Sequence, residues 1–486
     1  MAGEHVIHEE VEKFIVFFHN HVKDRNTQQI QMVYEVSFPK LTDRYYKSSH
    51  WPSVGAIASL VNNDQVFLLL YRELYFRHIY ARLQPTLQQR IESWENYSNL
   101  FSYLLRKDGA VPVEIPMVWL WDMLDEFVFQ YQSFHQYRGK VKARTAEERQ
   151  VLKANPRVWD TGMVMRQLAV AMERSDILKI LHSSKHEADE TNFDMVRTLG
   201  YFALVSMARL HVLLGDYHTA LSVLDDIDMS RKGLHQRVPA CQVSLHYYVG
   251  VSYLMSQRIK DAIRTFTNIL VHINRSKNFQ ARTNHFDQVV RMCDKILALT
   301  AIAVTLSPQR VDETIENAFR EKLSEKFGRI QQWQLSAFEE MFMMAAPKFV
   351  TPCSSLYPDN TNYAQEGLIQ QTKVLMGMVK QYSIIPTLRS FLVMYTTLPI
   401  SKLATLLDMS ESAVTAELMN WKSKTNELQC QGIGSLTDGS RHGTCDVKYY
   451  IENEMIHISV QKSNRRQADY FISHITKLEA LAASAN

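Results

Sequence analysis

The side chains of this 486-residue chain that could do chemistry do not gather into a motif. "HNHVKDRNTQQ" sets His19 and His21 two apart, the opening of a metal-binding pair. A zinc-dependent deubiquitinase site needs a Ser and an Asp at set spacing after such a pair, and they are missing. Both histidines therefore read as helix residues that face solvent or cap the helix end. "HEADE" at 186–190 lacks the second histidine of HExxH, whose two imidazoles must share one helix face to hold a metal. No P-loop and no GxGxxG run is present to cradle a phosphate, and "GIGS" at 432–435 is a lone glycine pair. Asp122, Asp125 and Glu126 crowd one stretch of helix and read as a solvated edge rather than an acid/base pair. The five cysteines (Cys241, Cys293, Cys353, Cys430 and Cys445) form no CxxC pair, which predicts reduced thiols without zinc. The expectation is no catalytic residue, no cofactor and no metal.

Bulk composition narrows the partners. An apolar fraction of 46% is that of a folded chain, and a formal charge of +3 is far from the basic excess of a dedicated nucleic-acid binder. The longest uncharged apolar run, "ILALTAIAVTL" (Ile296 to Leu306), is too short to span a bilayer. "MAGEHVIHEEVEKF" has no basic segment followed by an apolar stretch, so no secretory signal is expected. These features predict a soluble, intracellular, multi-domain protein without a membrane partner.

Apolar residues recur at helical spacing to about residue 427, with Gly and Pro sparse. The first third is rich in aromatics, as in "VFLLLYRELYFRHIYARL" and "WLWDMLDEFVFQYQSFHQYR", with charges such as Glu73, Arg77 and Arg82 filling positions off the packed side. A weak repeat follows: "MARLHVLLGDYHTALSVL" (Met207 to Leu224), "GVSYLMSQRIKDAIRTF" (Gly250 to Phe266) and, more loosely, "ALTAIAVTLSPQRVDETI" (Ala298 to Ile315). Tyr217 with Ala220 matches Ile259 with Ala262, and Gly215 suits a helix C-cap. Helical hairpins of this kind cannot bury their apolar faces alone and stack into an array, here at most TPR-like. Polar stretches at 140–149, 183–192 and 351–363 read as linkers.

"LPISKLATLLDMSESAVTAELMNW" (Leu398 to Trp421) predicts two short helices around a "DMS" turn, with Ser410 as N-cap and Val414, Leu418 and Trp421 facing inward. "DVKYYIENEMIHISV" then alternates: Val447, Tyr449 and Ile451 share one face of a strand, Ile456, Ile458 and Val460 share one face of the next strand, and "ENE" at 452–454 is the turn. Together these predict a winged helix. A last helix carries Ala468, Phe471, Ile472, Ile475 and Leu478 in one apolar stripe. A DNA-reading helix needs donors at its N-terminal end, but here Glu411 and Glu417 would meet phosphates, with Lys422 and Lys424 at the far end. Arg441, Lys462, Arg465 and Arg466 could touch phosphates, which positions a nucleic acid without reading it. A protein-docking surface is the better reading.

A helical array that runs into a winged helix and closes with an amphipathic helix resembles the PCI domain. "LGYFALVSMARLHVLLGDYHTAL", "VPACQVSLHYYVGVSYLM", "DAIRTFTNIL" and "LRSFLVMYTTLPISKLATLLDM" are similar to the subunit L family of eukaryotic translation initiation factor 3, and the resemblance runs from about residue 10 to about residue 480. It implies a mainly α fold: a right-handed, TPR-like helical-repeat solenoid ending in a winged-helix (PCI) module and a C-terminal helix. The implied division is an N-terminal helical region (1–195), TPR-like repeats (196–258), a PCI domain (259–465, winged helix about 386–462) and a bundling helix (466–486). It also implies a non-catalytic, cytoplasmic scaffold acting on the 40S ribosomal subunit, where mRNA and initiator tRNA are recruited, with subunits K and E as neighbours. Carried onto this sequence, the 446–460 hairpin would share a sheet with a sister subunit, and Phe471, Ile475 and Leu478 would bundle. Lys462, Arg465 and Arg466 are the candidates for a weak RNA contact. A PCI subunit of the proteasome lid or COP9 signalosome, or an RNA-binding winged helix, would share these features. Against the family pattern the chain opens without a long polar leader and stops at "LAASAN" soon after the last helix.

Overall fold

The computed structural model describes residues 7–106, 113–184, 194–229, 233–280, 286–351, 363–430, 435–443, 446–460, 470–472, 474, 475 and 478. Lys462, Arg465, Arg466, Ala468, Cys353, Cys445, "HEADE" and most of the linkers at 183–192 and 351–363 lie outside them. The chain is mainly helical and divides into two compact units: unit 1 is Met1–Met376 with Cys430–Gly439, and unit 2 is Gly377–Gln429 with Ser440–Asn486.

Unit 1 is built on long helices, among them α1 (Glu9–Lys23), α2 (Gln65–Arg82), α3 (Leu87–Leu104) and α4 (Met117–Gly139). Their aromatic rings interlock: Phe18 lies edge-on to Phe67 at 5.2 Å, Phe101 edge-on to Phe127 at 5.1 Å, and Tyr34 stacks on Trp119 at 5.2 Å. Such pairs favour edge and offset geometry because the ring faces are negative and the edges positive.

Of the charges on these helices, Arg82 faces water as its spacing suggested and pairs with Asp43 at 2.7 Å, but others do not. Glu73 is fully buried, and its carboxylate accepts from Trp119 Nε1 (2.9 Å), Arg77 Nε (3.1 Å) and Tyr97 Oη (3.4 Å). Arg77 also reaches Asp122 at 3.5 Å, and the Tyr34 hydroxyl donates to the same carboxylate at 2.5 Å. Asp125 pairs with the buried Arg209. The expected solvated edge of α4 is thus replaced by charges inside the packing, each held by a partner. The 140–149 stretch is ordered too: Val141–Ala143 is a 3-10 turn, and Thr145 and Glu148 form a capping box for the helix Ala146–Ala154.

The repeats form helical hairpins. Helix α5 (Met195–Leu214) meets α6 (Tyr217–Val223), α7 (Pro239–Met255) meets α8 (Ile259–Gln280), and α9 (Phe286–Leu306) meets α10 (Glu313–Lys322), with α11 (Leu335–Ala345) following. From Ala240 to Met255, α7 is buried on every side, which explains its lack of a polar face. Gly215 ends α5 at φ +82°, the left-handed cap its spacing predicts, and Asp216 then accepts from Thr219 N at 3.2 Å to start α6. Gly250 allows a close approach: a Cβ there would lie 2.1 Å from the Phe266 ring.

Unit 2 holds two sheets. β1 (Thr397–Pro399), β5 (Met455–Val460) and β4 (Val447–Glu452) form an antiparallel sheet in the order β1-β5-β4, and β2 (Asn426–Gln429) pairs with β3 (Ser440–Gly443).

Candidate protein-docking surface

The helices α12 (Ile385–Leu392), α13 (Ile400–Leu407) and α14 (Glu411–Lys424) surround one small core. Leu388, Leu392, Leu398, Leu403, Val414, Leu418, Trp421 and Ile456 fill it. The bend between α13 and α14 is made locally. Asp408 takes a left-handed conformation (φ 55°), and Ser410 Oγ accepts from Ala413 N at 3.3 Å as N-cap. The inward trio Val414, Leu418 and Trp421 is as the spacing predicts.

Strands β4 and β5 pair in the register Val447↔Val460, Tyr449↔Ile458, Ile451↔Ile456. Their two-residue turn is Asn453–Glu454, both at positive φ (48° and 61°), the twist a tight hairpin requires. Val447 and Ile456 face the core, and the Tyr449 hydroxyl donates to the Leu418 carbonyl, fastening the hairpin to α14. Arg389 and Asp446 pair at 2.6 Å beside the start of β4. β1, absent from the sequence reading, extends the sheet by pairing Leu398 with Ile456.

The outward surface is mixed: charged and polar groups such as Lys402, Glu411, Lys422 and Lys448 are exposed there, and large apolar side chains stand among them. Leu406 on α13, Met419 on α14 and Tyr450 on β4 are exposed, and Val460, on the core side of the sheet opposite Val447, is part-exposed at the end of β5. Tyr450 stacks on His457 at 4.7 Å across the hairpin. The α14 terminus opens on the exposed Glu411 and Ser412, and Lys422 lies in its last turn. That arrangement stabilises the helix through its dipole and leaves no donor-rich end for a groove. β4 is an edge strand of its sheet.

Of the stripe predicted on the last helix, all but Ala468 lie among the described residues, and these are exposed. Tyr470, Phe471, Ile472, Ile475 and Leu478 are helical, and Phe471 is 62% exposed and Leu478 63% exposed. Spacings of three and four put Phe471, Ile475 and Leu478 on one face. Unit 2 matches unit 1 in exposed large apolar side chains among the described residues, with roughly a quarter of its length.

Sequence comparisons decide the family. A family model described as RNA polymerase I-associated factor PAF67 matches residues 89–478. Eukaryotic translation initiation factor 3 subunit L of Nematostella vectensis is 41% identical to the chain over 99% of it and 93% of that relative. The subunit of the same name is 42% identical in Danio rerio (98% of the chain, 88% of the relative) and 40% identical in Homo sapiens (98% and 90%). The chain belongs to the eukaryotic translation initiation factor 3 subunit L family. The family match reaches through α13, α14 and the hairpin to the last exposed residue of the stripe.

Elsewhere the sequence candidates resolve into structure. His19, expected at the surface, is buried, with Nε2 3.2 Å from Asp64 Oδ2 and its ring edge-on to Phe67. Asp64 in turn caps α2 by accepting from Val66 N and Phe67 N. The His21 ring packs edge-on to Phe17 at 4.2 Å. Glu126 accepts from Gln130 Nε2 at 2.8 Å, and burial pushes its carboxyl up to about 7. Among the described residues, no group of three or more His, Cys, Asp or Glu side chains could hold a metal ion, and no helix is long and apolar enough to cross a membrane. Sequence reasoning missed Tyr450, Met419 and Leu406 as surface groups. Only their place on the outward side of elements whose inward side was already assigned could have found them.

Proposed function

We propose that the chain is a non-catalytic scaffold subunit of eukaryotic translation initiation factor 3, working in the cytoplasm on the 40S ribosomal subunit. The relatives named above support the assembly. In this reading α12 to α14 with β1, β4 and β5 are the winged helix of a PCI domain spanning 259–465, preceded by an N-terminal region (1–195) and TPR-like repeats (196–258). The 446–460 hairpin offers its edge to a sister subunit's sheet, and the helix of residues 466–486 bundles with sister helices, subunits K and E being the neighbours. One observation carries the reading: Phe471, Ile475 and Leu478 stand on one helix face, each more than half exposed. Apolar surface of this kind is stabilised by burial, roughly 1.5–3 kcal/mol for each large side chain covered.

The test is co-sedimentation of the F471D/I475D chain with the initiation-factor particle. The expected result is a folded protein left in the light fractions while the unsubstituted chain travels with the particle. A double variant that still assembles with unchanged stoichiometry would remove the stripe from the interface.

A further inference from the structure

A cradle in unit 1 holds the main chain of another segment of the same unit. It sits at the turn of the second repeat. Tyr253 lies in the last turn of α7, Arg258 just before α8, Asp261 in the first turn of α8, and Asp225 beyond the end of α6. Gln257, at φ 61°, makes the reversal between the helices. Arg258 and Asp261 form an ion pair (2.8 Å) whose side chains are only 7% and 4% exposed. A buried pair is tolerated when its remaining donors and lone pairs are also engaged.

Here the main chain of Cys430 and of residues 436–438 engages them. Arg258 donates from one terminal nitrogen to the carbonyls of Leu436 (2.9 Å) and Thr437 (3.0 Å), and from the other to Asp438 O (3.2 Å). Tyr253 Oη donates to Leu436 O at 3.1 Å. Asp261 Oδ2 accepts from Cys430 N at 3.0 Å. Asp225 Oδ1 accepts from Leu436 N (2.8 Å) and Thr437 N (3.3 Å). The Thr437 hydroxyl also donates to Asp225 Oδ2 at 3.3 Å, a side-chain contact beside the main-chain ones.

We propose that Asp225, Tyr253, Arg258 and Asp261 form a peptide site that reads main-chain amides and carbonyls, and that Cys430 with residues 435–438 is its resident ligand, a releasable strap. Main-chain recognition is indifferent to most side chains, which is how strand-addition sites accept varied peptides. The strap is flanked by β2 and β3, which pair with each other from Asn426↔Gly443 to Gln429↔Ser440. That ladder joins the two ends of the strap through pairs that use no cradle residue.

Amide exchange in the full chain tests the proposal. The amides of Leu436 and Thr437 are expected to exchange at least about tenfold more slowly than in a free peptide of residues 428–440. L436A/T437A keeps both amides and is expected to keep the protection. L436P/T437P removes both donors and is expected to lose it. The vacated cradle of that proline variant is expected to bind the labelled 428–440 peptide in trans, the unsubstituted chain is not, and adding R258A abolishes the binding. D225A, which leaves the strap sequence intact, is expected to free the same two amides. Free-peptide exchange rates in the unsubstituted chain, equal effects of the alanine and proline pairs, protection retained in D225A, or no peptide binding to a folded proline variant would each overturn it.

Discussion

The two units treat polar and apolar groups in opposite ways. Unit 1 buries charge: Glu73, Asp122 and Arg209 lie inside the packing with partners in hydrogen-bond reach. Unit 2 exposes hydrophobic side chains: beside a small core around Trp421 it has Phe471, Ile475 and Leu478 in solvent, and Leu406, Met419 and Tyr450 stand among polar groups on its surface. A buried polar network fixes one arrangement of helices, because any shift leaves a charge without its partner. An exposed apolar stripe fixes nothing within the chain and gains free energy only when something else covers it. Under the proposed function the first design serves as a rigid frame and the second as a joint.

The contrast can be broken on either side, and the largest effects are expected in unit 1. Acidification tests it first. Burial holds His135, His235 and His246 neutral and pushes each down to about 4, from 6.5 in an unfolded chain. Their stabilisation is complete above pH 6.5 and is lost as pH falls toward 4, at about 3 kcal/mol for each imidazole. Glu126 has the opposite sign. Its raised value, about 7 against 4.5, makes its contribution largest below pH 4.5 and loses it as pH rises to 7. Three imidazoles outweigh one carboxyl, so denaturant midpoints should fall between pH 6.5 and 4, more steeply in E126Q.

Removing Glu73 comes next. E73A leaves Arg77 short of a buried counter-charge and Trp119 Nε1 without an acceptor, at a cost of about 3–5 kcal/mol in equilibrium unfolding. G250A drives a methyl group into the Phe266 ring and is expected to cost about 1–3 kcal/mol by the same measurement. In unit 2, S410A removes the N-cap of α14 and should cost about 1 kcal/mol. Smallest of all, F471D/I475D should move stability by less than about 0.5 kcal/mol while abolishing assembly, since exposed positions contribute little to folding.

What could be read from the residues divides along the same line. The bend at Asp408, the cap at Ser410 and the alternation of 447–460 are local signals, and the structure repeats them. The stripe was legible because one helix face is written in consecutive turns. β1 was not, since three residues ending in proline are too short to alternate. The burial of Glu73 and Asp122 was hidden for another reason. Their partners Trp119 and Tyr34 lie 46 and 88 positions away, so spacing along α2 or α4 could not show that a carboxylate had company. The strap was invisible because the cradle binds its main chain, which every residue shares.

Hydrogen exchange across the whole chain, free and within the assembled initiation factor, tests most directly whether unit 2 is the joint. Assembly should slow exchange at 470–478 and along 447–460 while leaving α2, α3 and α4 as they were. Slowing confined to unit 1, with the stripe and hairpin unchanged, would contradict it.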